Sequence, residues 1–159
     1  FREYTTIHPP QLFPGVVDFV KEAETRYRLA IASGGRREQI ERALRSTPIE
    51  QDFEIIVSAE DVRIGKPDPE IYQVTLAKLN SLPIPSLLTI NPSDVVVIED
   101  SRAGIQAGLS AGMFVIALST TYPVSALTEA HVILRSLAEL SLAFPAEEAI
   151  SRCGFSSNA

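Results

Sequence analysis

Cysteine is nearly absent from this chain, with Cys153 the single example among 159 residues. One thiol cannot form an internal disulfide, so nothing in the sequence requires an oxidising compartment, and the cytoplasm is the default expectation. Long apolar runs are absent as well. None approaches the roughly 20 residues that a membrane-spanning helix needs, and no leading signal pattern is visible. We therefore expect no membrane partner.

Basic residues are also scarce. Fourteen Lys and Arg against twenty Asp and Glu give a formal net charge of -6. This balance argues against broad binding to the phosphate backbone of nucleic acid or to an anionic membrane surface. Small anionic substrates remain compatible with it because they need only a local site.

The length and apolar content favour one domain. A chain of 159 residues that is 45% hydrophobic can bury one substantial core, but it is too short for two ordinary domains. The chain begins with Phe1, and its only methionine is Met113. We therefore expect that the true start of the translated protein precedes Phe1.

Helical and strand patterns alternate along the sequence. Residues 15–25 place Val16, Val20 and Ala23 on one helical face, and the next apolar run is typical of a buried strand. Further helix candidates are REQIERALRS and DPEIYQVTLAKLN, the strand candidates are RLAIAS, FEIIVS, DVVVIE, FVIALS and HVIL, and the Pro-rich residues 80–94 are predicted to be a loop. This alternation predicts a three-layer α/β sandwich with a mostly parallel sheet.

The first loop with unusual chemistry follows RLAIAS. Ser33, Gly34 and Gly35 would present a hydroxyl and backbone N–H groups at a helix start, which suits an anion such as phosphate. Ligands of open parallel sheets bind at this edge, beyond the carboxyl ends of the strands. The same three residues are also ordinary turn chemistry, so an anion site and a plain turn both remain open.

The second loop carries Lys66. A Gly-Lys pair could indicate a nucleotide P-loop, but Pro67 stands where that motif needs Ser or Thr, and the upstream glycine is missing. Lys66 is then either a solvated cation or a point charge held stiffly between Gly65 and Pro67 to face phosphate.

The third loop follows DVVVIE, where Glu99 and Asp100 end a hydrophobic strand. Asp100 or Ser101 could simply cap the next helix while Glu99 faces water. If the topology brings the three loops together, however, the carboxylates gain a lysine and a hydroxyl as neighbours. Magnesium in phosphoryl-transfer sites takes one or two carboxylates together with phosphate and water, so this set predicts a magnesium-dependent phosphate site.

From about residue 12 to 134, these motifs together resemble the haloacid dehalogenase (HAD) superfamily, in particular its branch of sugar-phosphate phosphatases and β-phosphoglucomutase-like proteins, so a phosphatase and a phosphosugar mutase both remain open. The resemblance implies a Rossmann-like core and a small phosphorylated metabolite as substrate. It implies that Ser33 and Lys66 are catalytic residues that bind the phosphoryl group. It also implies that Asp100 is a direct ligand of Mg²⁺ and that Glu99 is a second ligand, direct or through water.

One essential motif of that family is missing. Its Asp-x-Asp supplies the nucleophile and the general acid and base, yet no two aspartates of this chain stand two positions apart. We therefore predict that the chain is an amino-terminally truncated member of the family. As a fragment without its nucleophile, it is expected to be inactive alone. Residues 1–12 would be the remnant of the cap and hinge, 13–145 the core, and 146–159 a tail.

The alternative hypothesis is a natural non-catalytic protein that kept the pocket for binding or assembly. A structural expectation follows from either reading, because the family's missing strand lies between the strands ending at Ser33 and Glu99. A dry gap there would leave unpaired backbone groups at about 1–3 kcal/mol each. We therefore expect residues 28–33 and 94–99 to pair directly, with a homo-oligomer covering the gap as another solution.

Overall fold

Helices and strands alternate along the part of the chain that the computed structural model describes, residues 12–45, 47–83 and 89–143. The elements are α1 (Val16–Ala23), β1 (Ala30–Ala32), α2 (Arg37–Leu44), β2 (Ile55–Val57), α3 (Glu70–Ser81), β3 (Val96–Glu99), α4 (Arg102–Ser110), β4 (Phe114–Leu118), β5 (Val132–Leu134) and α5 (Leu137–Ala143), with short 3₁₀ turns at Ala59–Asp61, Pro92–Asp94 and Val124–Ala126. The predicted order of elements is confirmed. Residues 1–11 of the predicted cap remnant and the predicted tail, 146–159, lie outside the described residues.

Local chemistry explains where the helices next to the site begin and end. The Asp68 carboxylate accepts a hydrogen bond of 2.9 Å from the Glu70 N–H, which caps the start of α3. The Ser101 hydroxyl does the same for α4, accepting from the Gly104 N–H at 3.0 Å. Gly112 follows α4 with a φ of 76°, a left-handed conformation that glycine adopts without strain. The predicted loop at 80–94 is wrong at both ends, because α3 continues through Ser81 and Pro92–Asp94 form a 3₁₀ turn.

Every strand pairing in the described residues is parallel, and the strands form two sheets. One sheet contains β1 and β2, with Ala32 opposite Val57. The other has the order β3-β4-β5, with Glu99 opposite Ala117 and Leu118 opposite Leu134. The predicted α/β class with a mostly parallel sheet is therefore correct.

The prediction that residues 28–33 and 94–99 pair directly is wrong. Within the described residues, β1 has β2 as its hydrogen-bonded neighbour and β3 has β4, so the facing edges of β1 and β3 stay unpaired. The Lys66 ammonium lies between their carboxyl ends, where it donates to the Ala32 carbonyl at 3.2 Å. The expectation of direct pairing did not include this lysine at the end of the gap between the two strands.

Helices cover both faces of the strands and make the expected three layers. The larger core cluster contains Val57 of the first sheet and Val97 and Val115 of the second, packed with Ile71 of α3 and Ile105 of α4. This shared core holds the two sheets beside each other although they do not pair. On the opposite face, a smaller cluster is built around three buried side chains, Val20, Leu44 and Ile49.

No helix in the described ranges combines the length and the apolar character that a membrane crossing requires.

Candidate active site

Lys66 is the residue that brings the three predicted loops together. Its ammonium contacts the carbonyl of Ala32, the residue before Ser33, and forms an ion pair with Glu99, the residue before Asp100. Its side chain is only 14% exposed. The loop lysine is therefore not a solvated cation but a partly buried charge at the carboxyl ends of β1 and β3.

Protein donors occupy both oxygens of the Glu99 carboxylate. Oε1 accepts from Lys66 and from the Tyr72 hydroxyl at 2.9 Å. Oε2 accepts from the backbone N–H groups of Asp100 and Ser101, both at 3.1 Å, and from the Ser101 hydroxyl at 2.9 Å. Burial alone would raise the pKa of Glu99, but the Lys66 charge and these hydrogen bonds outweigh burial and lower it. Glu99 is thus an anion whose side chain is nearly buried, with protein donors on both oxygens.

The position of Glu99 explains why α4 carries a glycine near its start. A Cβ atom on Gly104 would lie 2.0 Å from the Cδ atom of Glu99 and about as close to both carboxylate oxygens. Only a residue without a side chain leaves room for the carboxylate to fold back over the first turn of α4. Farther along, a Cβ on Gly108 would meet Val115 at 2.8 Å, so the same helix lies close to β4.

Asp100 is more available than Glu99. Within the described residues, its carboxylate has one hydrogen-bond partner, the Thr121 hydroxyl, which bonds Oδ2. A cavity of about 330 Å³ lies nearby, lined by Pro67, Ser101, Arg102, Ala103, Gln106, Tyr122 and Glu129, but neither Asp100 nor Lys66 lines it. No group of three or more His, Cys, Asp or Glu suited to hold a metal occurs in the part of the chain that the structure describes.

Some polar groups of the loop after β1 are already used in hydrogen bonds within the loop. The Ser33 hydroxyl accepts a hydrogen bond of 3.1 Å from the Gly35 N–H, and the Arg36 N–H donates to Gln39. Gly34 differs from its neighbour, since a Cβ placed there would meet nothing within 4 Å. The turn is therefore formed, and within the described residues it leaves the Ser33 hydroxyl hydrogen and the Gly34 N–H without a hydrogen-bond acceptor.

Tyr72, Gly104 and Thr121 also belong to this site, although the sequence motifs did not indicate them. Tyr72 had a usable signal, because an aromatic residue in the first turn after a lysine loop is placed to contact that lysine. Gly104 had a weaker one, its position one helical turn beyond two carboxylates. Thr121 lies in the loop after β4, and nothing in its sequence surroundings indicates the contact with Asp100.

Known proteins share this architecture. The family model of haloacid dehalogenase-like hydrolases matches residues 1–118. The validoxylamine A 7′-phosphate phosphatase of Streptomyces hygroscopicus subsp. limoneus is 37% identical over 117 residues, which cover 74% of this chain and 51% of that protein. The β-phosphoglucomutase of Bacillus subtilis is 30% identical over 141 residues, covering 88% of this chain and 56% of the relative.

Solved structures agree with the sequence relatives. A crystal structure of CbbY from Rhodobacter sphaeroides in complex with xylulose-(1,5)-bisphosphate matches with a TM-score of 0.74 and 28% identity, covering 87% of this chain and 60% of that one. The chain spans about half the length of the two curated relatives, 51% and 56%. With the family model matched over most of its length, the chain belongs to the haloacid dehalogenase-like hydrolases, in their β-phosphoglucomutase-like branch.

Proposed function

We propose that this chain supplies the phosphate-binding and metal-binding parts of a phosphoryl-transfer site that acts on a small phosphorylated metabolite. The observation that carries the proposal is the position of Lys66, whose partly buried ammonium lies between the strand ends that lead into Ser33 and Asp100. A lysine ammonium has three N–H donors. Two of them bond Ala32 and Glu99, which leaves one for a phosphoryl oxygen.

Ser33 and Gly34 complete the proposed phosphate contacts. The Ser33 hydroxyl accepts from Gly35, so its own hydrogen is directed elsewhere and can be donated to an anion. A Cβ added at Gly34 would meet nothing within 4 Å, so there is open space beside this residue for an anion that its N–H could bind. Gly35 shapes this loop through its bond to Ser33 and contributes to phosphate binding through that shape.

The residues present fit a magnesium ion in part. Asp100 offers a carboxylate whose hydrogen-bond partner in the described residues is Thr121, and magnesium sites of this kind use one or two carboxylates together with substrate phosphate and water. When bound, the ion supplies positive charge that offsets the charge of the phosphoryl oxygens. Asp100 is the proposed direct ligand. Glu99 reaches the ion only through water or after giving up one of its present donors.

The proposed nucleophile comes from outside these 159 residues, because no Asp-x-Asp occurs among them. We infer that this chain alone does not form an aspartyl phosphate. We further infer that the strand bearing the nucleophile fills the gap between β1 and β3, whose edges are unpaired within the described residues. A second copy of the chain covering that gap is the alternative, and the molecular mass in solution distinguishes the two.

The substrate class follows the relatives. One similar phosphatase is named for validoxylamine A 7′-phosphate, and one similar structure holds xylulose-(1,5)-bisphosphate. We propose a phosphorylated sugar or a related polyol phosphate for the complete protein. Product analysis separates a hydrolase, which releases inorganic phosphate, from a mutase, which returns an isomeric phosphate ester.

Titration calorimetry with inorganic phosphate tests the binding site on this chain directly. We expect Lys66→Met to weaken phosphate binding by about tenfold or more, because a charge-assisted hydrogen bond is lost. Lys21→Met is the matched control, since it removes an equal charge from an exposed position paired with Asp52. Equal affinities of the Lys66 and Lys21 variants would contradict the proposed phosphate site.

Activity is tested on the chain joined to the amino-terminal half of the Streptomyces relative, with sugar phosphates and Mg²⁺. We expect phosphate release from the joined protein, none from this chain alone, and a loss of release with Asp100→Asn. Turnover by the unmodified 159-residue chain would overturn the inferred dependence on an external nucleophile. Binding without turnover in every form would favour the non-catalytic alternative.

A further inference from the structure

Tyr72 lies beneath the charged centre of the site. It belongs to the first turn of α3 and is buried, with 6% of its surface exposed. Its hydroxyl donates to Oε1 of Glu99 at 2.9 Å, the same oxygen that pairs with Lys66. The centroid of its ring lies 5.0 Å from the Lys66 ammonium. One side chain therefore touches both members of the ion pair.

We propose that Tyr72 is a positioning residue that holds Lys66 and Glu99 in one fixed arrangement. Lysine has a flexible four-carbon stem, and a single carboxylate partner does not by itself define where its ammonium lies. Three contacts do so here: the Ala32 carbonyl, Oε1 of Glu99, and the face of the Tyr72 ring, which attracts a cation.

The hydroxyl, rather than the bulk of the ring, sets the orientation of Glu99. A phenylalanine would fill the same space in the core next to Ile71 and Ile105. It would leave Oε1 with Lys66 alone, and the carboxylate could then rotate about its terminal bond. That rotation would also release Oε2 from the backbone N–H groups of Asp100 and Ser101. Through Glu99, Tyr72 thus orders both the lysine and the turn that carries Asp100.

The role of this arrangement in catalysis rests on the proposed function, in which Lys66 donates a hydrogen bond to a phosphoryl oxygen. An ordered ammonium loses less freedom when the anion arrives, which favours binding. The contacts themselves are independent of that function. They can be tested on this chain without substrate, so a failure of the positioning role and a failure of the phosphate site give different results.

The test is amide hydrogen exchange by NMR on the 159-residue protein and its Tyr72→Phe variant. We expect the amides of Asp100 and Ser101 to exchange about tenfold faster in the variant, because they depend on Glu99 as acceptor. The amides of Ser119 and His131, which bond the carbonyls of Leu134 and Val115, should keep their rates. Tyr27→Phe, which removes a phenol hydroxyl from a 41% exposed site, should change neither set.

A second measurement uses the unmodified protein. The Tyr72 hydroxyl proton should give a slowly exchanging resonance with a nuclear Overhauser contact to the Glu99 side chain. Unchanged Asp100 and Ser101 exchange in Tyr72→Phe would overturn the proposal. So would an equal acceleration of all core amides, which would show that Tyr72 acts only by packing. A hydroxyl proton in fast exchange with water would also contradict it.

Discussion

Gly104→Ala is the sharpest single test of how the site is built. The new methyl group would lie 2.0 Å from Cδ of Glu99 and 2.1 and 2.2 Å from its two oxygens. No side chain accommodates such contacts, so the carboxylate must leave its position over α4. Its ion pair with Lys66 and its hydrogen bonds with Tyr72 and Ser101 are lost with that movement.

Two opposing effects determine the size of the change in stability. Alanine favours a helix over glycine by about 1 kcal/mol. Removing one partner of a buried ion pair costs about 3–5 kcal/mol, and the pair here is nearly buried, with Glu99 8% and Lys66 14% exposed. We therefore expect Gly104→Ala to lower the free energy of unfolding by about 2–4 kcal/mol.

Urea unfolding followed by far-ultraviolet circular dichroism measures this change. Gly65→Ala is the control, because a Cβ added at Gly65 meets nothing within 4 Å. The decisive comparison adds Gly104→Ala to a Glu99→Ala background. All three nearest atoms to the new methyl group belong to Glu99. In the Glu99→Ala background, Gly104→Ala should therefore raise the free energy of unfolding by about 1 kcal/mol through helix propensity. Equal destabilisation in both backgrounds would refute the reasoning.

Two further predictions concern the packing around the site. The hydrogen bond from Lys78, followed by that from the Ser58 N–H, lowers the pKa of Asp61 below its ordinary 3.8. The stabilisation that Asp61 provides is therefore complete above that value and declines as the pH falls towards the folded-state pKa. In urea titrations, the difference in unfolding free energy between wild type and Asp61→Asn should be larger at pH 6 than at pH 3. A constant difference would contradict this. Arg28 forms a bidentate pair with Glu54 and donates to the Leu79 carbonyl at 3.0 Å. Arg28→Lys should lower the free energy of unfolding by about 1 kcal/mol, whereas Arg26→Lys at an exposed position should not, and thermal melting of the two variants checks the contrast.

The sequence predicted the elements well because their signals are local. The periodicity that predicts α1 and β4 involves only neighbouring residues. The end of α4 is likewise indicated by one residue, Gly112, because glycine adopts the left-handed conformation found there without strain. The three loops were also correctly assigned to one edge, because parallel strands bring their carboxyl ends together. The position of Lys66 between Gly65 and Pro67 left a solvated cation and a fixed charge both open, and the structure has its side chain only 14% exposed.

The errors arose where the answer depends on groups far apart in sequence. Periodicity says that β1 and β3 are buried strands, but it does not say which edges meet. The prediction of direct pairing therefore overlooked a lysine lying between the strand ends. Similarly, the sequence identifies Glu99 as an acid after a strand. That its oxygens face Tyr72 and the Ser101 turn depends on side-chain rotamers and on the space left by Gly104.

The separation into two sheets has a consequence for how the chain folds. Each sheet is made from elements close in sequence, β1 with β2 at residues 30–57 and β3 with β4 and β5 at residues 96–134. Contacts that are local in sequence form faster than distant ones. We expect the first sheet to assemble with α2 and α3, which packs on both of its strands, and the second sheet with α4, before docking brings Ile71 and Tyr72 into the shared core. The charged centre of the site would then form last, at the moment when the two halves dock.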